Sequence, residues 1–308
     1  MDQMLALRTF VAVANKRSFV EAAQALGISP TAASRGVAGL EELLGVTLLR
    51  RTTRSVALTP EGETYLDRCR RALEELDDAA RALRGDAAEP RGTLIVTAPV
   101  VFGRMHILPI VDQLLRDHPG LDVRLTLTDR VVRLVEEGID VAVRIADLAD
   151  SALHAARLTE VRRVLVASPN YLKRRGVPAT AAELRDHDLI GFDNFTRNGE
   201  WRLGPSGDEV VRCEPRLMTN SVEAAIDATI SGLGIARVLD YQVAKHVAAG
   251  RLCYLLAALD PPPVPVSLVY QANRLRSPNA RALIDAARRH FSGAPARQRK
   301  PPTDVGKG

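Results

Sequence analysis

SFVEAAQALGISPTAASR, residues 18–35, holds two helix starts and one helix stop. Ser18 and Glu21 stand at the spacing of a capping box, in which each side chain satisfies the other's backbone N–H. Phe19, Ala22, Ala23 and Leu26 then fall on one helical face. Gly27 suits the left-handed geometry of a helix end. Ser29 caps a second helix and Pro30 suits its first position. Its inner face is Ala33, Val37, Leu40 and Leu44, and its outer face is Thr31, Ser34, Arg35 and Ala38. Two short helices joined at Gly27-Ile28-Ser29 make a helix-turn-helix, whose second helix suits a DNA major groove. The bland alternative is a helical hairpin with no DNA role. Upstream, Leu7, Phe10, Val11 and Ala14 repeat at helical spacing and predict a third helix.

Downstream, Leu48–Thr59 reads as two short strands around a basic turn, a wing. Arg50, Arg51, Thr52 and Arg54 suit phosphate oxygens, contacts that position a protein on a duplex while reading little sequence. Ser29, Pro30, Thr31, Ser34 and Arg35 are the expected groove-facing residues, with Thr31, Ser34 and Arg35 reaching base edges. Charge agrees: residues 1–60 hold seven bases against four acids, and residues 61–89 five bases against nine acids. The net charge of +5 hints at a polyanionic partner.

In the acidic segment, Leu66, Cys69, Leu73, Leu76, Ala80 and Leu83 alternate at spacings of three and four, a heptad seam. Thr59 caps this helix and Pro60 opens it. The seam predicts pairing with a second copy; the alternative is a helix packed on its own domain.

Residues 10–66 resemble the DNA-binding domain of LysR-type transcriptional regulators. The resemblance rests on Ser18-Phe19, Ala22-Ala23, Leu26, Ser29-Pro30, Ser34-Arg35, Leu40-Glu41, Leu44-Gly45, Leu48, Arg51, Leu58-Thr59 and Gly62. Leu49 stands where that family usually has Phe, and a glutamine common near the start of the recognition helix is absent. The resemblance implies an effector-responsive regulator that binds promoter DNA as a homodimer or homotetramer, with RNA polymerase as a further partner.

From Thr93 the pattern changes to strands alternating with helices, which predicts βαβ units and a mostly parallel sheet. Strands are expected at 93–97, 121–127, 139–145, 161–167, 189–192, near 217 and at 264–270. Helices are expected at 102–115, 131–137, near 171, at 222–231 and 280–291, with a hairpin around Trp201. The fold class is an α/β multi-domain chain: a winged helix-turn-helix over 1–59, a dimerising linker helix over 60–86, a hinge over 87–92 and an effector-binding domain over 93–292. That last domain divides into subdomain I, 93–163 plus 267–292, and subdomain II, 164–266. This arrangement resembles periplasmic binding proteins, and the LysR family shares it. Residues 293–308, rich in Pro, Ala and basic side chains, read as a disordered tail.

Ligands of open α/β sheets bind beyond the carboxyl ends of strands, so the cleft between subdomains is the expected sensing site. Its expected lining is Pro99, Val100, Val101 and Phe102 at a strand-to-helix junction, Thr128-Asp129 after the next strand, and Asn220-Ser221. Backbone N–H groups at the first junction suit an anionic group. Arg144 and Arg237 are candidates to meet a carboxylate, against the plainer role of surface ion pairs.

Other classes fall away. The six histidines show no metal spacing, and there is no phosphate loop and no Gly-x-Ser-x-Gly, so neither an enzyme nor a cofactor is expected. Gly232-Leu-Gly234-Ile-Ala-Arg237 lacks the last small residue of a dinucleotide fingerprint and follows a helix rather than a strand. Cys69, Cys213 and Cys253 form no metal or disulfide pattern and read as packed thiols. No secretory signal and no membrane span are legible, which places the chain in the cytoplasm as an expectation.

Overall fold

The computed structural model describes residues 2–51, 56–83, 89–147, 153–192, 199–212, 214–272, 274 and 277–292. They fall into two compact units, Met1–Glu89 and Pro90–Gly308.

The first unit is built from α1 (Gln3–Lys16), α2 (Phe19–Leu26), α3 (Pro30–Leu44), a hairpin of β1 (Leu49–Arg51) and β2 (Val56–Leu58), and α4 (Pro60–Leu83). Its helix starts sit where the sequence puts them, although only the Ser18 half of the expected capping box forms. Ser18 Oγ accepts from the Glu21 N–H at 3.2 Å and Ser29 Oγ from the Ala32 N–H at 3.1 Å. Gly27, at φ +65°, closes α2 in a conformation that a Cβ would strain. Phe10, Val13, Ala22, Val37, Leu40, Leu48 and Leu49 form the core, so the leucine at position 49 is fully accommodated.

Thr59 ties the wing to α4. Its hydroxyl donates to the Thr47 carbonyl at 2.7 Å and accepts from the Gly62 N–H at 2.9 Å. A Cβ added at Gly62 would lie 2.0 Å from the Leu48 carbonyl oxygen. That oxygen is backbone, so relief requires moving the wing or the helix. Gly62→Ala is expected to destabilise the first unit by about 1–3 kcal/mol. Scanning calorimetry of the full chain measures this; an unchanged transition would mean that the helix start yields freely.

The expected heptad seam divides. Leu66 and Cys69 are buried in the first unit's own core and Leu73 is buried one turn on, whereas Leu76 is 49% exposed. The intramolecular reading therefore holds for the first half of α4. Arg8 of α1 clasps Asp77 of α4.

The second unit starts with β3 (Gly92–Ala98), α5 (Val100–Phe102), a π-helical turn (Gly103–Ile107), α6 (Leu108–Asp117), β4 (Leu121–Leu127), β5 (Val141–Ile145) and β6 (His154–Val161). The chain then crosses to β7 (Arg163–Ala167), α7 (Pro169–Arg175), β8 (Leu189–Phe192), the hairpin of β9 (Glu200–Leu203) and β10 (Glu209–Arg212), and β11 (Leu217–Thr219). It continues through α8 (Val222–Ile230), β12 (Ile235–Leu239), α9 (Asp240–Ala248) and β13 (Cys253–Leu255), and returns through β14 (Val264–Tyr270) to α10 (Pro278–Ser292). One sheet has the order β4-β3-β5-β14-β6 and the other β11-β8-β12-β7-β13. In each sheet four strands run in one direction and one runs against them, β14 in the first and β7 in the second, the strands that the two crossings bring in. The return crossing enters the first sheet at Val264, which pairs with Val161.

Two expectations fail. The helix over 131–137 is absent. Val132 gives its carbonyl to the Arg144 guanidinium at 2.8 Å, and Glu137 takes the Arg133 N–H at 3.0 Å as well as the Arg130 guanidinium. Side chains thus take backbone groups that a helix would use, and three β-branched valines do not resist. These contacts hold the Glu137 carboxyl down at about 2, chiefly through Arg130. The strand expected at 161–167 is two strands in two sheets, divided at Arg162. The tail after Phe291-Ser292, Cys213 and the start of the 87–92 hinge lie outside the described residues, as does the end of the 60–86 linker. No helix of the described residues is long and apolar enough to cross a membrane.

Candidate functional site

The outer face of α3 is the first candidate. Ala33, Gly36, Val37 and Leu40 are buried, and this turns Ser29, Pro30, Thr31, Arg35 and Ala38 outward while Ser34 is half-buried. Cβ atoms three and four residues apart share a helical face, so burying one face presents the other as a unit. The exposed surface is short-chained around a single guanidinium, which permits close approach to base edges. Beside it, Arg50↔Ala57 and Arg51↔Val56 pair antiparallel, the base of a wing. Glu41 positions that hairpin by accepting the Leu48 and Leu49 N–H groups at 2.8 and 3.0 Å. Arg50 is exposed. Thr52 and Arg54, and the side chain of Arg51, lie outside the described residues.

The second candidate is a cavity of about 370 Å³ in the second unit, reached from both sheets. Pro99, Thr128 and Asp129 line it, as does Arg144, which donates to the Val132 carbonyl. Val100 does not line it, but its N–H donates to Asp129 Oδ1 at 3.2 Å. Burial pushes the Asp129 carboxyl above the usual carboxylate range; this hydrogen bond pulls it back and the Glu223 carboxylate pushes it further up.

Other expected lining residues sit elsewhere. Val101 and Phe102 point into the core because the helix beginning at Val100 turns its second and third residues inward. Phe102 stacks on Phe291 with centroids 5.8 Å apart and meets Tyr241 edge-on at 5.5 Å. Ser221 caps α8, accepting from the Ala224 N–H at 3.3 Å, and Asn220 is exposed beside it; neither lines the cavity. Arg237 is a correction with a simple cause. Strand alternation puts it on the same face of β12 as Ile235, toward the cluster around Trp201, and it donates to the Arg202 carbonyl at 2.7 Å.

Sequence reasoning missed Arg163, Phe192, Tyr241 and Gln242, all of which line the cavity. Phe192 ends parallel strand β8 and Tyr241 follows the carboxyl end of β12, so the rule used for Thr128-Asp129 would have found them. Arg163 carried no signal, because only the crossing into the second sheet brings it to the cavity. Burial pushes its guanidinium below its ordinary range, and Asp147 offsets this in part. His187 is half-buried with Nδ1 3.1 Å from the Tyr171 hydroxyl.

Comparison with known proteins bears on both candidates. Residues 4–63 match the family of bacterial regulatory helix-turn-helix proteins, lysR family, and residues 87–292 match the LysR substrate binding domain. An HTH-type transcriptional repressor of Pseudomonas aeruginosa is 34% identical over 305 residues, 98% of this chain and 96% of that protein. The regulator PtxR of the same species is 35% identical, covering 94% of each. Among solved structures, the LysR-type regulator CrgA from Neisseria meningitidis aligns at a TM-score of 0.56 and 30% identity, over 92% of this chain and 98% of that one. The Vibrio cholerae virulence activator AphB aligns at 0.58 and 25%, over 92% and 97%.

Proposed function

Since this chain belongs to the LysR-type family of transcriptional regulators, we propose that it binds a promoter as a dimer or tetramer and changes its grip on DNA when a metabolite fills the 370 Å³ cavity. DNA binding through the helix-turn-helix and effector binding through the regulatory domain are family properties, and the chain is a regulator rather than an enzyme. The observation that carries the finer reading is the division of α3 into a buried apolar face and an outward face of Thr31, Arg35 and Ala38. Thr31, Ser34 and Arg35 read base edges, while Ser29 and Pro30 set the start of the helix against the groove. Arg50 and Arg51, with Thr52 and Arg54 of the wing turn, hold phosphates.

Pairing uses the second half of α4, around exposed Leu76 and Ala80, because its first half is already occupied by the core. Two copies then present recognition helices about one DNA turn, or a multiple of it, apart. In the cavity, Pro99, Val100, Thr128 and Asp129 meet the ligand together with Arg144, Arg163 and Tyr241. A ligand shifts states only by its differential affinity for them, so the two placements of the α4 pair must differ in cavity contacts. The readout is access of RNA polymerase to the promoter, in the cytoplasm on nucleoid DNA.

Selection of bound duplexes from a random pool tests this reading. A recovered motif with two-fold symmetry is expected. Loss of all binding at moderate salt with no motif recovered would reduce the unit to an electrostatic anchor. On the recovered duplex, Arg35→Ala should weaken specific over non-specific binding by about 1–3 kcal/mol. An equal loss on random DNA would reassign Arg35 to phosphate.

A further inference from the structure

Helix α4 is tied to its own unit over only part of its length. Thr59 fixes its start against the wing. Tyr65 packs on Phe10 with ring centroids 5.9 Å apart, and Leu66 and Cys69 enter the core. One turn on, Arg70 donates to Asn15 near the end of α1, while also pairing with Asp67 on its own helix. The last tie is Arg8 with Asp77. Nη2 donates to Oδ1 at 2.5 Å and Nη1 to Oδ2 at 3.4 Å, a bidentate fork. The Asn15–Arg70 and Arg8–Asp77 ties lie two turns apart on each helix and in opposite order, so α1 and α4 run antiparallel. Among the described residues, Asp77 is the last of α4 with a hydrogen bond or ion pair to another element of the unit.

This pair does little for stability, because its side chains are 39% and 42% exposed and exposed ion pairs are weak. Direction is another matter. Beyond Leu73 the helix has left the core, so its possible directions differ little in energy and a weak contact of fixed geometry suffices to choose among them. A planar guanidinium on a carboxylate supplies that geometry. It sets rotation as well as tilt: Leu76 and Ala80, both exposed, fall roughly 100° and 60° round the helix from Asp77, on the same side. The leverage is large. A helix of 24 residues is about 36 Å long, and a swing of about 10° moves its far end by about 6 Å, more than the ~3.4 Å between base pairs.

We propose that Arg8 and Asp77 are positioning residues for DNA recognition: their pair fixes the direction in which α4 leaves the DNA-binding unit, and so the gap between half-sites that a dimer accepts. This rests on pairing through the second half of α4 and adds the contact that sets the spacing. Neither residue reads a base.

The test uses the full chain and duplexes that carry the selected half-site twice, with the gap shortened or lengthened by about one to three base pairs, beside a duplex with a single half-site. Fluorescence anisotropy reads the affinities. Wild type should prefer its own gap about tenfold over the neighbouring ones. Asp77→Ala and Arg8→Ala should each cut that preference to about threefold or less and leave affinity for the single half-site, and its base preference, unchanged. Arg8→Asp combined with Asp77→Arg should restore the preference. Circular dichroism melting and sedimentation establish that each variant folds and pairs. An unchanged gap preference in Asp77→Ala overturns the positioning role and leaves pairing through α4 standing. Loss of pairing in that variant overturns it as well, since the contact would then hold the dimer together rather than orient it. Weaker binding of the single half-site by Arg8→Ala alone makes Arg8 a phosphate contact, and equal weakening in both variants makes the pair a folding contact; either result overturns the positioning role. If wild type selects only an isolated half-site, pairing through α4 fails and the positioning role falls with it.

Discussion

Phe102→Ala should destabilise the regulatory unit by about 3–5 kcal/mol, the cost of deleting a fully buried aromatic ring whose site cannot collapse. The ring is 1% exposed and lies between Phe291 of α10, Tyr241 of α9 and His106, whose centroid is 4.7 Å away. Those partners come from both subdomains, so neither sheet can move in alone to fill the void. Because Tyr241 also lines the cavity, the variant should lose ligand response along with stability. Trp201 lies in this unit and the chain has no other tryptophan, so denaturant unfolding followed by its fluorescence isolates the relevant transition. Phe102→Leu should recover much of the loss. A loss under about 1 kcal/mol in the alanine variant would show that the cluster repacks, contrary to the close packing expected of protein interiors.

Asp140→Ala should cost a similar amount, about 3–5 kcal/mol, for an electrostatic reason. Asp140 is 6% exposed just before β5. One carboxylate oxygen accepts the Ile95 N–H at 2.8 Å, and the other lies 3.2 Å from Nε of the largely buried Arg274. The second contact is an ion pair that lacks the alignment of a hydrogen bond through those two atoms. Removing the carboxylate takes away the charge beside a largely buried guanidinium and the acceptor of the Ile95 N–H together, and a buried donor that loses its acceptor costs more than the net worth of the contact. Asp140→Asn separates the terms, because it keeps an acceptor for Ile95 and loses the charge; it should fall between wild type and Asp140→Ala. If both variants unfold like wild type, water reaches Arg274 and the pair is unimportant.

Local chemistry made the first unit legible. Ser18, Gly27, Ser29, Pro30 and Thr59 each act on backbone groups within a few residues of themselves, so their effect is written in the order of the chain. The outer face of α3 followed in the same way, because helical periodicity assigns every residue a side. The strands of the second unit were readable as apolar runs, and Leu121–Leu127 and Val264–Tyr270 have the expected bounds.

Long-range partners decided the rest. Residues 131–137 look helical in isolation but lose their backbone groups to Arg144, Glu137 and Arg130. Leu66 and Cys69 look like part of an intermolecular seam until the core around α1 takes them in. Arg237 looks available until the twofold alternation of β12 turns it toward Arg202. Arg163, with no motif around it, reaches the cavity only through the crossing between sheets. Periodicity and capping depend on neighbours in sequence, so the chain alone determined the helix-turn-helix, the wing and the alternation of strands. Burial and electrostatic pairing depend on neighbours in space, so only the folded structure decided which half of α4 is left exposed and which charges line the cavity.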